Sequence, residues 1–338
     1  MPLFSVGVTT YNRKQLLRRC LDSLVNQSFR DFEVIVGNDY VAEPLFGKDL
    51  GIEDPRIRFI NHEKNLGECR NLNALLAAAR GEYFTWQFDD DLYAVDFFER
   101  AQKALVQSPR PTCVFTSYRK VFDTQVPRAR PEGSPGDTIT WTGPEFLRRY
   151  LSGRIRAMGM TGIYNTEYIR AIRGVQPLTD GPFALYSEYL LMMQTILLDR
   201  VVFINSPLVY YFVHEGSWGN INAELDLYRQ AAANLLTESN QLLRKAEGRL
   251  DREWCLESLL KLAVADFTKH ACMEPGLSGL AKAAAFSEDL TTRFLPDRIS
   301  RLRAAGSWFV VPFIKAKLKR LLPSQVRVPI QKIHARFQ

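Results

Sequence analysis

Cysteine is scarce and unpaired: Cys20, Cys69, Cys113, Cys255 and Cys272 are odd in number and scattered, with no C-x-x-C motif. That argues against a disulfide framework or a cysteine-based zinc centre and fits a reducing compartment. No apolar run reaches the ~20 residues that a helix needs to span a bilayer. The opening stretch, MPLFSVGVTTYNRK, turns polar too early for a secretory leader. No G-x-G-x-x-G follows a strand-like run, which excludes a dinucleotide-dependent dehydrogenase. The first strand-like run, VGVTTYNRKQ, also lacks the glycine-rich, basic loop that a sugar-nucleotide pyrophosphorylase uses to hold a triphosphate.

Acidic residues are absent after Asp297, where Arg298, Arg301, Arg303, Lys315, Lys317, Lys319, Arg320, Arg327, Lys332 and Arg336 follow unopposed. These cations exceed the formal net charge of +7, so the body is close to neutral and the tail is basic. Such a tail suggests an anionic partner. Pro312 to Leu322 interleaves Phe313, Ile314, Leu318, Leu321 and Leu322 with basic residues. A helix there can lie on an anionic membrane or pack its apolar side on the body. No recognition motif accompanies the charge, so nucleic acid is not an expected partner.

What is present is the composition of a folded protein, 46% hydrophobic and 24% charged over 338 residues. The first half alternates two periods. LFSVGVTTY reads as a strand, and Leu16, Leu17, Cys20, Leu21, Leu24 and Val25 then form a helical stripe. Asn12 is placed to cap that helix, with Gln15 reaching back. Strands follow at 32–39, 56–63, 82–88 and 112–122, with helices at 71–81 and 95–107 between them. This rhythm predicts an α/β fold: a mainly parallel twisted sheet flanked by helices. Pro127 to Pro144 reads as a loop or hairpin. Beyond it come a helix from Glu188 to Leu198, the strands VVFI and LVYYFVH, and a C-terminal helical extension with segments near 223–246, 251–273 and 277–293.

Ligands of parallel sheets bind at the carboxyl ends of the strands. Here those ends carry Thr9–Thr10–Tyr11, Asn38–Asp39 and Asp89–Asp90–Asp91. Like unit charges about 4 Å apart repel by ~1 kcal/mol in water and several times more near a protein surface. Three consecutive aspartates therefore call either for solvation in a turn or for a divalent cation, Mg²⁺ or Mn²⁺, suited to oxygen donors.

SVGVTTYNRKQLLRRCLDSLVNQSFRDFEVIVGND and NLGECRNLNALLAAARGEYFTWQFDDDLYAVDFF together resemble the opening blocks of family 2 glycosyltransferases of the GT-A fold. The resemblance covers about residues 3–215. It implies a catalytic domain over 1–220, with a nucleotide-binding half at 1–122 and an acceptor half at 123–220, followed by a helical region with the basic tail at 221–338. It implies further that Thr9, Thr10 and Tyr11 line the base pocket and that Asp39 reads the uracil or ribose. Arg70 or Asn71 would lie near the nucleotide and Asp89 would face the ribose. Asp90 would hold a Mn²⁺ or Mg²⁺ bridging the diphosphate, with Asp91 and His214 as candidate ligands. Two departures stand out: Asn38 replaces the first of two acids, and Phe88 stands where the metal motif most often begins with Asp.

Family members carry an acidic pair at the start of an apolar helix in the second half. This chain has Ser187–Glu188, so Glu188 is the expected catalytic base; the alternative is a glutamate favoured only by the helix dipole. The implied reaction is inverting transfer from a nucleotide-sugar donor, UDP-linked by preference, to a saccharide or lipid-linked acceptor. The expected setting is cytoplasmic, with possible peripheral contact at the membrane's inner face. A module that binds sugar or nucleotide without catalysis is the alternative from a different class. Trp218 reads as a core aromatic or a sugar-stacking ring.

Overall fold

The structure is a computed structural model describing residues 1–107, 113–122, 137–214, 224–272 and 278–295. Two compact units divide it: residues 1–177 with 181–213, and residues 178–180 with 214 onwards. The basic tail, Trp218 and most of the 123–144 loop lie outside the described residues.

The first unit is built on β1 (Phe4–Thr10), β2 (Phe32–Asn38), β3 (Ile57–Asn61) and β4 (Tyr83–Phe88), with β2–β1–β4 and β2–β3 all paired parallel. The short β5 (Leu92–Tyr93) turns back from β4. Further strands are β6 (Cys113–Val121), β7 (Thr138–Trp141), β8 (Ile163–Asn165) and β9 (Val201–Phe212). The sheet runs β3-β2-β1-β4-β8-β6-β9-β5, with β7 paired to β9. β8 is antiparallel to both β4 and β6, so the sheet is mixed at its centre and parallel on the β1 side.

β1 and β2 are buried almost throughout, as strands covered on both faces must be. The two-residue period sends Val34 and Val36 to one core and Ile35 to the other. The first core joins Phe4, Val6 and Val8 to α1 (Lys14–Val25) and α3 (Phe97–Gln107) through Leu17, Leu21, Phe97 and Phe98. The second joins Phe84 and Trp86 to α2 (Glu68–Ala78) and α4 (Gly143–Leu151) through Leu72, Leu75 and Phe146. Two shorter helices, α5 (Thr166–Ala171) and α6 (Ser187–Met193), complete the unit.

Several boundaries differ from expectation. Asn12 does not cap α1: its φ of 52° is left-handed, whereas a capping residue needs extended backbone, and the helix starts at Lys14 without a side-chain cap. α2 starts three residues earlier than the apolar run, because Cys69 belongs to its buried face. Gly81 does not end it; the Gly81 N–H instead donates to Ser5 Oγ at 2.7 Å. The Glu188 helix is short, giving way at Gln194 to a 3-10 turn.

The second unit contains α7 (Leu225–Lys245), α8 (Arg252–Ala271) and α9 (Ser278–Phe294). The Asp251 side chain caps α8 by accepting from Trp254 N at 2.7 Å. Phe267 stacks on Phe286 with ring centres 4.1 Å apart, and Tyr228 shares a buried 2.9 Å hydrogen bond with His270. None of the described helices is long and apolar enough to cross a membrane.

Candidate active site

The parallel pairing aligns the ends of β1, β2 and β4, so their polar residues meet at one sheet edge. Thr10 Oγ1 donates to Asp89 Oδ2 at 2.7 Å, and Asp39 N donates to Thr10 O at 3.1 Å. Tyr11 and Tyr40 meet edge to face at 5.3 Å, with Tyr11 half exposed. The half-exposed Tyr11 ring offers an apolar face to a ligand ring at this edge.

Asp39 is buried and uses both oxygens on one turn: Oδ1 accepts from Leu66 N at 2.7 Å and Oδ2 from Gly67 N at 2.9 Å. Gly67, at φ 76°, adopts the left-handed backbone that makes this turn. Asn38 is likewise turned inward, donating to Asn61 Oδ1 and to Glu43 O, each at 2.9 Å. Arg70 is exposed, whereas Asn71 is buried. The Asn71 amide donates to Gly37 O at 3.0 Å and meets His62 Nε2 at 3.0 Å, tying α2 to β2.

The three aspartates differ sharply in environment. Asp89 is buried, and burial together with the Asp90 charge raises its pKa to about 7, against the Thr10 hydroxyl and Arg13. Asp90 keeps 14% of its side chain exposed. Asp91 is fully buried, with Oδ1 accepting from Phe212 N at 2.9 Å and Oδ2 without a hydrogen-bond partner among the described residues. Burial first, then the charges of Asp90, Asp89 and Glu188, hold its carboxyl well above the usual range. Arg13 Nη1 stands 3.4 Å from Asp89 and 3.5 Å from Asp90.

These residues fit a hard divalent cation: every donor is oxygen, and one buried carboxylate oxygen is unsatisfied. Among the described residues no group of three or more His, Cys, Asp or Glu forms a ready cage. The aspartates could supply at most part of a coordination shell, the remainder coming from substrate phosphates as in many Mg²⁺ sites. His214 is the first residue of the second unit's main segment.

Glu188 sits in the first turn of α6, just after Tyr186, which holds a left-handed φ of 58°. Its Oε1 accepts from Gly159 N at 2.7 Å, and burial raises its pKa against that bond. A carboxylate so placed is a proton acceptor with elevated basicity. Ser187, where the resemblance expects an acid, is buried and donates to Gln176 O at 2.7 Å. A carboxylate could not make that bond, which accounts for the neutral residue.

Two contributors escaped the sequence reading. Arg13 reaches the aspartates, and Glu68 at the start of α2 accepts from Ala184 N at 2.9 Å. Both depend on partners far away in the chain, which no local pattern reports.

A mainly parallel sheet with carboxylates gathered at the carboxyl ends of its strands, flanked by helices and followed by a helical extension, is an architecture of the GT-A type. The profile of glycosyl transferase family 2 matches residues 5–191, and the chain belongs to that family. It is accordingly an enzyme, a nucleotide-sugar glycosyltransferase. It is 26% identical over 256 residues to the putative glycosyltransferase EpsH of Bacillus subtilis, covering 71% of each chain. It is 30% identical over 190 residues to the chondroitin synthase of Pasteurella multocida, covering 51% of this chain and 18% of the synthase. Among solved structures, S. aureus TarS 1–349 in complex with UDP-GlcNAc has a similar fold, with a TM-score of 0.54 at 17% identity, covering 94% of this chain and 91% of TarS.

Proposed function

We propose that this chain is a metal-dependent, inverting glycosyltransferase that moves a sugar from a UDP-linked donor to an acceptor hydroxyl of a polysaccharide, glycolipid or other glycoconjugate. The observation that carries the reading is the convergence of Thr10, Asp39 and Asp89 at the carboxyl ends of three parallel strands, where Thr10 Oγ1 donates to Asp89 Oδ2 at 2.7 Å.

The acceptor hydroxyl gives its proton to the Glu188 carboxylate as its oxygen bonds to the anomeric carbon. The bond from that carbon to the diphosphate breaks, and the electron pair leaves with the phosphate oxygen. A single displacement inverts the anomeric configuration. Glu188 is held for this by Gly159 N–H and is made basic by burial. Tyr11 and Tyr40 offer the surface on which the base lies, with Thr9 and Thr10 beside it. Asp39 shapes the pocket by fixing the Leu66–Gly67 turn, and exposed Arg70 approaches the nucleotide. Asp89 faces the ribose. Asp90 and Asp91 would hold Mn²⁺ or Mg²⁺, with His214 a further donor on the family resemblance alone. Held there, such an ion would supply Lewis-acid stabilisation of the departing diphosphate.

We propose further that the reaction takes place in the cytoplasm and that the basic tail contacts anionic lipid at the membrane's inner face. Sedimentation with anionic liposomes, comparing the full chain with one lacking residues 307–338, tests that placement; equal partitioning rejects it. The transferase reading itself is tested by slow hydrolysis of a panel of nucleotide sugars, with Mn²⁺ and with EDTA. Metal-dependent release of UDP is expected. Release of no nucleotide from any donor would overturn the reading.

A further inference from the structure

Glu68 opens α2, and two bonds fasten it to the segment leading into α6. Its backbone N–H donates to Pro182 O at 2.7 Å, and its Oε2 accepts from Ala184 N at 2.9 Å. Next to it, Cys69 Sγ lies 3.8 Å from Ser187 Oγ. On its other side, Gly67 and Leu66 donate to Asp39. A continuous path of hydrogen bonds therefore runs from the end of β2, through the 66–68 turn, to the turn that presents Glu188.

That second turn needs holding. Tyr186 is a bulky residue in the left-handed region, a conformation that persists only when its surroundings impose it. Its carbonyl accepts from Leu190 N at 3.2 Å, so its backbone sets the first turn of α6 and hence the direction of Glu188. The Glu68 clamp grips the chain two residues before Tyr186.

We propose that Glu68 is a positioning residue for sugar transfer: its carboxylate locks the 182–186 turn so that α6 aims Glu188 at the acceptor. This rests on the reading of Glu188 as the base. The proximity is also felt electrostatically. Burial raises the Glu68 pKa to about 7 against the Ala184 N–H, with the Glu188 and Asp90 charges raising it further and Arg13 lowering it.

The test compares Glu68→Ala, Glu68→Gln and Glu68→Asp in the full chain. The Gln amide oxygen can still accept from Ala184 N; the Asp carboxylate is one methylene too short. Expected for Ala and Asp are a kcat lowered about tenfold or more with donor KM and UDP affinity unchanged, and for Gln recovery to within about threefold of wild type. Should the Ala variant not fold, the Asp and Gln pair makes the same comparison. Amide hydrogen exchange at Ala184 is the readout that needs no substrate: it should quicken about tenfold or more in the Asp variant and stay slow in the Gln variant. Unchanged exchange in the Asp variant, or a Gln variant as impaired as the Asp variant, overturns the proposal. If the wild-type chain turns over no nucleotide sugar, the transferase reading falls while the exchange result still decides the clamp.

Discussion

The Phe212 backbone N–H donates to Asp91 Oδ1 at 2.9 Å, so the last residue of β9 holds the third aspartate after β4. One oxygen is thereby structural while the other is buried without a partner among the described residues. Asp91→Asn keeps an acceptor for Phe212 and removes a costly buried charge, so its stability in urea should equal or exceed wild type. Asp91→Ala removes the carboxylate that accepts from the Phe212 N–H and should lose about 1–3 kcal/mol. Equal losses in both variants would show that the bond does not matter.

Arg13 supplies positive charge to Asp89 and Asp90 and so competes with a divalent ion for the same carboxylates. Arg13→Ala should bind Mn²⁺ about 3–10-fold more tightly in the absence of nucleotide, the effect of removing a partly exposed cation. Electron paramagnetic resonance of free Mn²⁺ measures this. Weaker binding would mean that Arg13 assists the metal.

The raised carboxylates make a prediction about pH. Asp89 and Glu68 sit at about 7 in the folded chain, above their ordinary unfolded values. The folded state thus binds more protons, and their contribution is fully present below the unfolded pKa and lost as pH rises through about 7. In EDTA the melting temperature should fall from about pH 5 to 8, and Asp89→Asn should flatten the slope. A melting temperature that climbs over this window would contradict the raised pKa of these groups.

Most of the architecture was legible because β1, β2, β4 and the α1 stripe each repeat an apolar period over at least six residues. The aspartates and Glu188 stood out as charges abutting apolar runs. β7 and β8 were not legible: at four and three residues they are too short to carry a period. β9 reads as two strands because Asn205–Ser206–Pro207 interrupts it, yet the structure runs through. Register shifts on either side of Ser117 in β6 absorb the proline. The opposite environments of Asp90 and Asp91 could not be read from identical neighbouring letters; they come from Phe212, more than a hundred residues away.

Gly37 tests how closely α2 must approach the nucleotide edge. A Cβ there would lie 2.2 Å from Asn71 Oδ1, so Gly37→Ala must push Asn71 off its bonds to Gly37 O and His62. A loss of about 1–3 kcal/mol is expected, with weaker UDP binding. A melting curve and UDP titration matching wild type would refute this packing.

The most direct measurement is turnover by Glu188→Gln beside its UDP affinity, in the same buffer with Mn²⁺. The amide preserves the bond from Gly159 N but cannot take the acceptor's proton, so UDP should bind within about twofold of wild type while transfer falls by about 10²–10⁴. Transfer at the wild-type rate would remove Glu188 from the chemistry and, with it, the mechanism built on that residue.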